Sequence, residues 1–599
     1  ARNFGDGGYY ALGTNAYTEI RPVEGLEFKT QISGDYKFNH DDDFQPDFVI
    51  DGAHEKNEIN SVYRDHSFES YWNWTNTLTY SLEAGDHNAS IMGGATLEKW
   101  NGRFINGTKE GIPNNSDVLR EIDAATENPE LNGNAWSNSI ESYLGRLTYN
   151  YLNRYYLTAT YRVDGSSKFL DNNKWASFPS ASLAWRISDE DFMSGADFLD
   201  DLKIRAGWGR LGNQNLPSNV YSSGIGQDYY VFGPGQGSLV NTTYPSSMKN
   251  EDIKWETVED VNLGTDFTLL SNQISGSLEY YQKETRDMIF QLPYPNYSGY
   301  PNDAQIWSNV GSMKSEGMEM GVNYRNQKGR FTYDLGVTFT SVDVEATELP
   351  EVTPVIYGND ENTKTVEGDE PGYFFGYKTD GIFQNRFEIN SHASEQGVLL
   401  QEEAQPGDFR FVDVNGDGEL TGEDRTKIGS PWPDFTGGVN VNLAYGNFDM
   451  AANVYVSVGN DLVNWLRDDL YNTQSSDNNV ISGLLDKAWH GEGTTNEFPR
   501  VAHTDMNQNF DRFSDYFVED GSYARLKNIQ LGYSLPQNML DRVGLKQCRF
   551  YVAGQNIMTL TGFSGIDPEI AGDEVLNYGF AGWNYPVLPT YLVGANISF

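Results

Sequence analysis

Apolar and polar residues alternate through most of this chain, a few turn residues interrupt, and the alternation resumes up to Phe599. Phe448, Met450, Ala452, Val454, Val456 and Val458 share one parity, and Asp449, Ala451, Asn453, Tyr455, Ser457 and Gly459 the other. Side chains of a strand point to opposite faces in turn, so one face is greasy and the other polar or small. Phe331, Tyr333, Leu335, Val337 and Phe339 repeat the pattern, as do Tyr591, Val593, Ala595, Ile597 and Phe599. Repeated in segments of about ten residues or more, this pattern predicts a large antiparallel barrel, specifically a transmembrane one.

A chain of 599 residues exceeds one ordinary globular core, and a single very large barrel can absorb that length. Glycine (61) and tyrosine (37) are abundant, as barrels use glycine where strands bend and tyrosine where lipid meets water. No run of eighteen apolar residues exists, which excludes a membrane helix but not a barrel, where only alternate residues touch lipid. A net charge of −43 argues against nucleic acid as a partner. The single cysteine, Cys548, rules out a disulfide within the chain and reads as a buried or lipid-facing thiol.

About seventeen strands are expected, joined by connections that alternate short and long. Short ones include Arg21 to Gly25, Glu83 to Asp86, Leu152 to Arg154, Ser271–Asn272, Asn326 to Gly329 and Tyr445 to Asn447. Long ones run from Asn39 to Ser67, Gly102 to Ser137, Asn213 to Asp252, Asp343 to Pro433, Asn460 to Glu519 and Thr561 to Pro589. Outer-membrane barrels sort turns this way, short in the periplasm and long outside. Two longer stretches on the short side, Ser188 to Asp201 and Gln537 to Gly544, read as helical turns. Bacterial barrels have an even number of strands, so an odd count leads to the expectation that upstream strands precede this sequence.

Several phrases carry a resemblance. They are Trp175-Ala-Ser-Phe-Pro-Ser-Ala-Ser-Leu-Ala-Trp-Arg-Ile187, Leu202-Lys-Ile-Arg-Ala-Gly-Trp-Gly-Arg-Leu-Gly-Asn-Gln214, Lys254-Trp-Glu-Thr257, Asn309-Val-Gly-Ser-Met-Lys314, Gly376-Tyr-Lys-Thr-Asp-Gly-Ile-Phe383 and Phe517-Val-Glu-Asp-Gly-Ser-Tyr-Ala-Arg-Leu-Lys-Asn-Ile529. Together they resemble the SusC/RagA-like branch of TonB-dependent transporters from Bacteroidetes outer membranes, over essentially the whole chain. The resemblance implies a 22-stranded family barrel, an N-terminal plug and TonB-contacting segment not in this sequence, and a SusD-like surface lipoprotein as lid. It also implies a dimer of transporter–lid pairs. On that reading residues 1–599 are barrel with long extracellular loops, and 405–433 is a calcium-loop-like insertion in one of them.

The insertion has its own chemistry. Asp413, Asn415 and Asp417 fall at positions 1, 3 and 5 of a calcium loop, Gly418 at 6, Glu419 at 7 through its carbonyl, and Asp424 at 12. Hard oxygens at this spacing suit structural Ca2+, although Asp stands at position 12 where Glu is usual. The bland alternative is a solvated Asx-rich turn. Aromatics crowd the long loops, and Trp136, Tyr229, Tyr230, Trp465, Tyr471, Trp489, Trp583 and Tyr585 are candidates for contact with substrate. Such rings stack on sugars but equally pack loops or meet a protein partner. No catalytic motif occurs, so an enzyme is not expected. The reading is import of an oligosaccharide. Peptide import, a non-transporting barrel that anchors surface lipoproteins, and a passive porin are the competitors.

Overall fold

The computed structural model describes residues 4–49, 56–218, 220–232, 238–245, 248–293, 305–351, 353–474, 479–569 and 575–599. Eighteen strand segments belong to one sheet. Two of them, Phe331–Thr340 and Asp343–Glu348, both pair with Ser312–Lys328 and are halves of one strand broken by a bulge. The sheet therefore has seventeen strands, as the alternation implies. Gly317 lets the bulge form, since a Cβ there would lie 2.0 Å from the Ser341 carbonyl oxygen. Among the described residues no helix is long and apolar enough to cross a membrane. The expected helical turns are present as the 3-10 turns Ile187–Asp189 and Asp191–Met193 and the helix Gln537–Val543.

The chain divides into two compact units. The first comprises Ala1–Trp185, Gly207–Asp260 and Thr285–Val310. Its strands are long: Ser61–Ala84 and His87–Glu110 have 24 residues each and Glu127–Tyr151 has 25. The turn between the first two is the two-residue Gly85–Asp86, with Gly85 at φ 61°, a left-handed conformation that suits glycine. From that turn the face bearing Leu82, Tyr80, Leu78 and Trp74 is exposed and apolar. Its neighbours continue the band, Tyr80 opposite Ile91 and Trp74 opposite Leu97. Beyond Trp74 the same face is mixed: Trp72 follows, exposed Leu12 and Tyr36 share a row with Ser70 and Asn101, and Asn101 faces Ser137. The apolar band is thus about nine residues tall, the length that crosses hydrocarbon. The strands continue about 40 Å beyond it at the rise of a strand. Several segments expected as long loops are therefore strand: pairing continues through Leu26–Gln45, to Glu110, and again from Glu127. With polar residues on both faces, the alternation that marks a strand fades there.

The second unit comprises Arg186–Ala206, Val261–Glu284 and Gly311–Phe599. Across its last strands Tyr445, Phe448, Tyr533 and Phe550 form one row beside the turns. Leu443, Met450, Leu531, Val552 and Val593 form the next row. An aromatic row beside an aliphatic one is how a barrel meets the membrane surface. The opposite face is polar there: Arg549 pairs with Asp449, and its guanidinium also donates to Gln530 at 2.9 Å.

Candidate functional site

Three connections of the second unit, 349–434, 459–522 and 562–589, are long enough to be floppy, yet they pack into one head. Val355–Gly358, Thr363–Val366, Tyr373–Gly376 and Thr426–Gly429 make a four-stranded sheet. Asp461–Asn464 lies antiparallel to Val518–Asp520 and parallel to Phe580–Ala581, so the second and third connections share a ladder. Thr379–Ile382 pairs with Phe409–Phe411. Between these pieces lies a core of Phe374, Ile382, Phe409, Phe411, Val463, Phe513, Tyr516 and Phe517. Phe374 of the first connection meets Phe580 of the third edge-on at 5.3 Å. Burying aromatics of this size stabilises the head by about 2 to 3 kcal/mol each.

Side-chain amides and carboxylates complete what the short strands leave unpaired. Asp408 is fully buried, and accepts from Arg500 Nε at 2.7 Å and Asn509 Nδ2 at 3.1 Å. Gln401 donates to the Phe409 carbonyl at 2.9 Å and accepts from the Phe411 amide at 2.8 Å, standing in for a strand partner. Asp515 accepts from the Thr379 amide at 3.1 Å and hydroxyl at 2.7 Å. Burial pushes the Asp515 carboxyl up while these Thr379 bonds pull it down. Burial also raises Asp461, Asp468 and Asp505, and pushes the Tyr373 phenol up to about 12.

The final connection is tied back to the wall by Arg525, on the strand Tyr523–Ser534. Its side chain is 3% exposed and donates to Asp567 at 2.6 Å, with Asp567 at 4%. Glu569 takes a second nitrogen of the same guanidinium and also pairs with Lys527. Asp567 turns its other oxygen to the Val587 amide at 3.2 Å, so one carboxylate holds both arms of the loop.

The aromatic candidates separate by environment. Trp465 is packed among Phe513, Phe517 and Phe580, with centroids 5.6 to 5.8 Å away. Trp489 lies against the same core and donates to Gln384 at 3.2 Å. Tyr471 stacks on Phe498 at 5.1 Å. These three hold the head together. Trp583 and Tyr585 are 62% and 79% exposed, and the Trp583 indole donates to Asp469 at 2.6 Å. In the first unit Tyr229 and Tyr230 are exposed on the hairpin Ile225–Phe232 and Ser238–Pro245. Trp136 lies within the strand Glu127–Tyr151 and not in a loop.

The segment 413–424 curls through Gly416 and Gly418, at φ 74° and 85°. Asp413 accepts from the amides of Gly416 at 2.7 Å and Gly418 at 2.9 Å, Asn415 from Asp417, and Asp417 from Glu419, both at 2.9 Å. Asp424 is fully buried, accepts from the Val414 amide at 2.9 Å and the Thr421 amide at 2.8 Å, and closes a capping box with Thr421. The oxygens at alternate positions suit a hard cation, and a carboxylate that accepts two amides keeps further lone pairs for it. Among the described residues, however, no three His, Cys, Asp or Glu side chains gather at one metal-binding point. The flanks are built into the head: Phe409–Phe411 pairs with Thr379–Ile382, and Thr426–Gly429 with Tyr373–Gly376.

A seventeen-strand sheet with a membrane-high apolar band and a folded head built from its long connections defines a large outer-membrane barrel. Residues 2–557 match the family described as TonB dependent receptor-like, beta-barrel. The chain belongs to this family. TonB-dependent receptor P3 of Formosa agariphila is 31% identical over 604 residues, covering 98% of this chain and 58% of that protein. TonB-dependent receptor SusC of Bacteroides thetaiotaomicron is 28% identical, covering 96% of this chain and 56% of that protein. The chain thus spans little more than half the length of these relatives. The structure of the RagAB peptide transporter shares the fold, with a TM-score of 0.83 at 21% identity, over 100% of this chain and 62% of that one.

Proposed function

We propose that this chain is the barrel portion of an importer that carries an oligosaccharide across the outer membrane, driven through TonB and covered by a SusD-like surface lipoprotein. The observation that carries the reading is the head. A passive porin gains nothing from an aromatic core and a buried Asp408–Arg500 pair in its loops, whereas a transporter that hands substrate from a lid needs rigid loop surfaces. Trp583 and Tyr585, exposed on the head, offer ring faces to a sugar or to the lid protein. Lid and barrel would work in pairs, two pairs to an assembly. Peptide import is the second reading, favoured by the likeness to a structure described as a peptide transporter.

The test is growth of a strain lacking the protein on neutral oligosaccharides and on peptides as sole nutrients, beside a strain lacking TonB function. Loss of growth on an oligosaccharide in both strains is expected. Loss on peptides alone would replace the oligosaccharide reading, and unaffected growth on everything would remove the transport reading.

Ca2+ belongs to the same proposal. Asp413, Asn415 and Asp417 side chains, the Glu419 carbonyl and Asp424 would hold it, stiffening the curl between the two paired flanks. Terbium luminescence in the full-length protein, lost in Asp413→Ala, would support it, and no luminescence in either would refute it.

A further inference from the structure

A groove of about 270 Å3 crosses five strands of the first unit. Its floor is the row in which Tyr36 faces Ser70 and Ser70 faces Asn101. The rows on either side line it: Asp35, Tyr71 and Trp100 on one, Lys37, Glu69 and Trp136 on the other. Residues one position from the floor row point to the face opposite its side chains, so the groove opens on the face opposite the apolar band. Two rows on one face stand about 7 Å apart, which admits one ring-thick ligand between them. Tyr71 lies further from the Gly85–Asp86 turn than the apolar run of Leu82 to Trp74, so the groove sits towards the far half of these strands.

Its aromatics are set in place. Tyr71 and Trp100 rings are 4.9 Å apart at 31°, and the Tyr71 hydroxyl donates to Glu98 at 3.1 Å. Trp136 lies across Gly102, where a Cβ would come within 2.3 Å of the indole, and it remains 37% exposed. Among the described residues, none of the three belongs to a buried apolar cluster. Tyr71 and Trp100 pack on each other, and Trp136 keeps an exposed flank on a charged face. Asp35, Glu69 and Glu98 outnumber Lys37, so the local field opposes an anion.

We infer that this groove is a subsite for a neutral oligosaccharide, with Trp100, Trp136 and Tyr71 offering faces to the C–H surfaces of the sugar rings and Asp35 and Glu69 accepting from its hydroxyls. The inference rests on the import reading and names the substrate class at a place outside the head. The test measures binding of maltoheptaose, cellohexaose and hexagalacturonate to the full-length protein in detergent, by tryptophan fluorescence and calorimetry. At least one neutral oligomer is expected to bind, at least tenfold more weakly in Trp100→Ala and Trp136→Ala and less weakened in Trp100→Phe, with no binding of hexagalacturonate. Heat-modifiable mobility on gels confirms that each variant is folded, and Asp35→Asn, which keeps every ring, is expected to weaken binding by severalfold. Preference for the acidic oligomer, no binding of either neutral oligomer, or equal binding in the variants would overturn it. Uptake in cells separates the two failures. No TonB-dependent uptake of any oligosaccharide by the unaltered protein sinks the import reading, whereas uptake with unchanged concentration dependence in both tryptophan variants sinks the groove alone.

Discussion

Removing the Arg525 side chain tests whether the final loop is pinned to the wall by charge. In Arg525→Ala, Asp567, only 4% exposed, keeps its charge and its amide bonds but loses the guanidinium. Breaking a buried ion pair from one side costs about 3 to 5 kcal/mol. Glu569 is 29% exposed and can turn to water, so the lower end applies, about 3 kcal/mol. The strand Tyr523–Ser534 keeps its ladders to both neighbours, so the cost falls on the loop and not on the sheet. A local opening made easier by about 3 kcal/mol is about two orders of magnitude more populated. The assay is labelling of Tyr585→Cys on the exposed loop, with hydrogen exchange of 562–569 and 575–589 alongside. The native Cys548 is 3% exposed and stays silent. Exchange of the loop amides is expected to rise by about a hundredfold while the strand amides hold. Arg525→Met with Asp567→Asn should recover part of the loss by removing the unpaired charge while keeping an oxygen for the loop amides. Unchanged exchange, or melting of the strands with the loop, would refute the assignment.

In the head, Phe517→Ala removes a fully buried ring from the centre of the core and is expected to cost about 3 to 5 kcal/mol, read as protease cleavage within 349–434 and 459–522 while the barrel stays heat-modifiable. Met450→Arg places a charge in the outward aliphatic row and is expected to cost about 2 to 4 kcal/mol, read as reduced outer-membrane assembly, with Asn453→Arg on the opposite face well tolerated. Burial raises Asp461, Asp468, Asp505 and Asp515 above their unfolded values, so their charged forms oppose folding. The stability these four contribute is complete below the unfolded value of about 3.9 and is lost as pH rises through the folded values. Acidification towards the carboxylate range should therefore slow head exchange, corrected for intrinsic rates, and faster exchange would contradict the burial argument.

The barrel was legible because hydrocarbon imposes a period. Leu443, Met450, Leu531, Val552 and Val593 must all be apolar, and each sits two residues from the next outward position on its strand. Short turns with glycine, such as Gly85–Asp86 and Gly446–Asn447, completed the signal. The same physics explains what sequence hid. At the far end of these strands both faces carry polar residues, so Asp41, Asp42 and Asp43 read as loop although all three are paired in register with Asp65, Arg64 and Tyr63. The head hid for another reason: Phe374, Phe411, Val463, Phe517 and Phe580 converge across wide gaps in the chain and share no local period. A faint signal was present in Asp505-Met-Asn507-Gln-Asn509, whose alternate polar side chains are buried, Asn507 and Asn509 bonding to the 400–411 segment and Asp505 accepting from Asn509 and the Phe510 amide. Trp465 and Trp489 illustrate the cost of reading composition without it, since the rings that looked available for ligand are the ones the core needs.

The groove reverses that lesson, because Trp100 and Trp136 lie in stretches where sequence offers no reason to pair them. Only register brings them together: Trp100 faces Asn138 and Trp136 faces Gly102, so the two indoles fall diagonally on one face. The same register puts Gly102 beneath Trp136, and a larger residue there would force the indole off the wall. The indole thus covers the bare backbone of Gly102, as aromatics rescue glycines in sheets, and Trp136 is held in place while 37% of it stays exposed on the face that lines the groove.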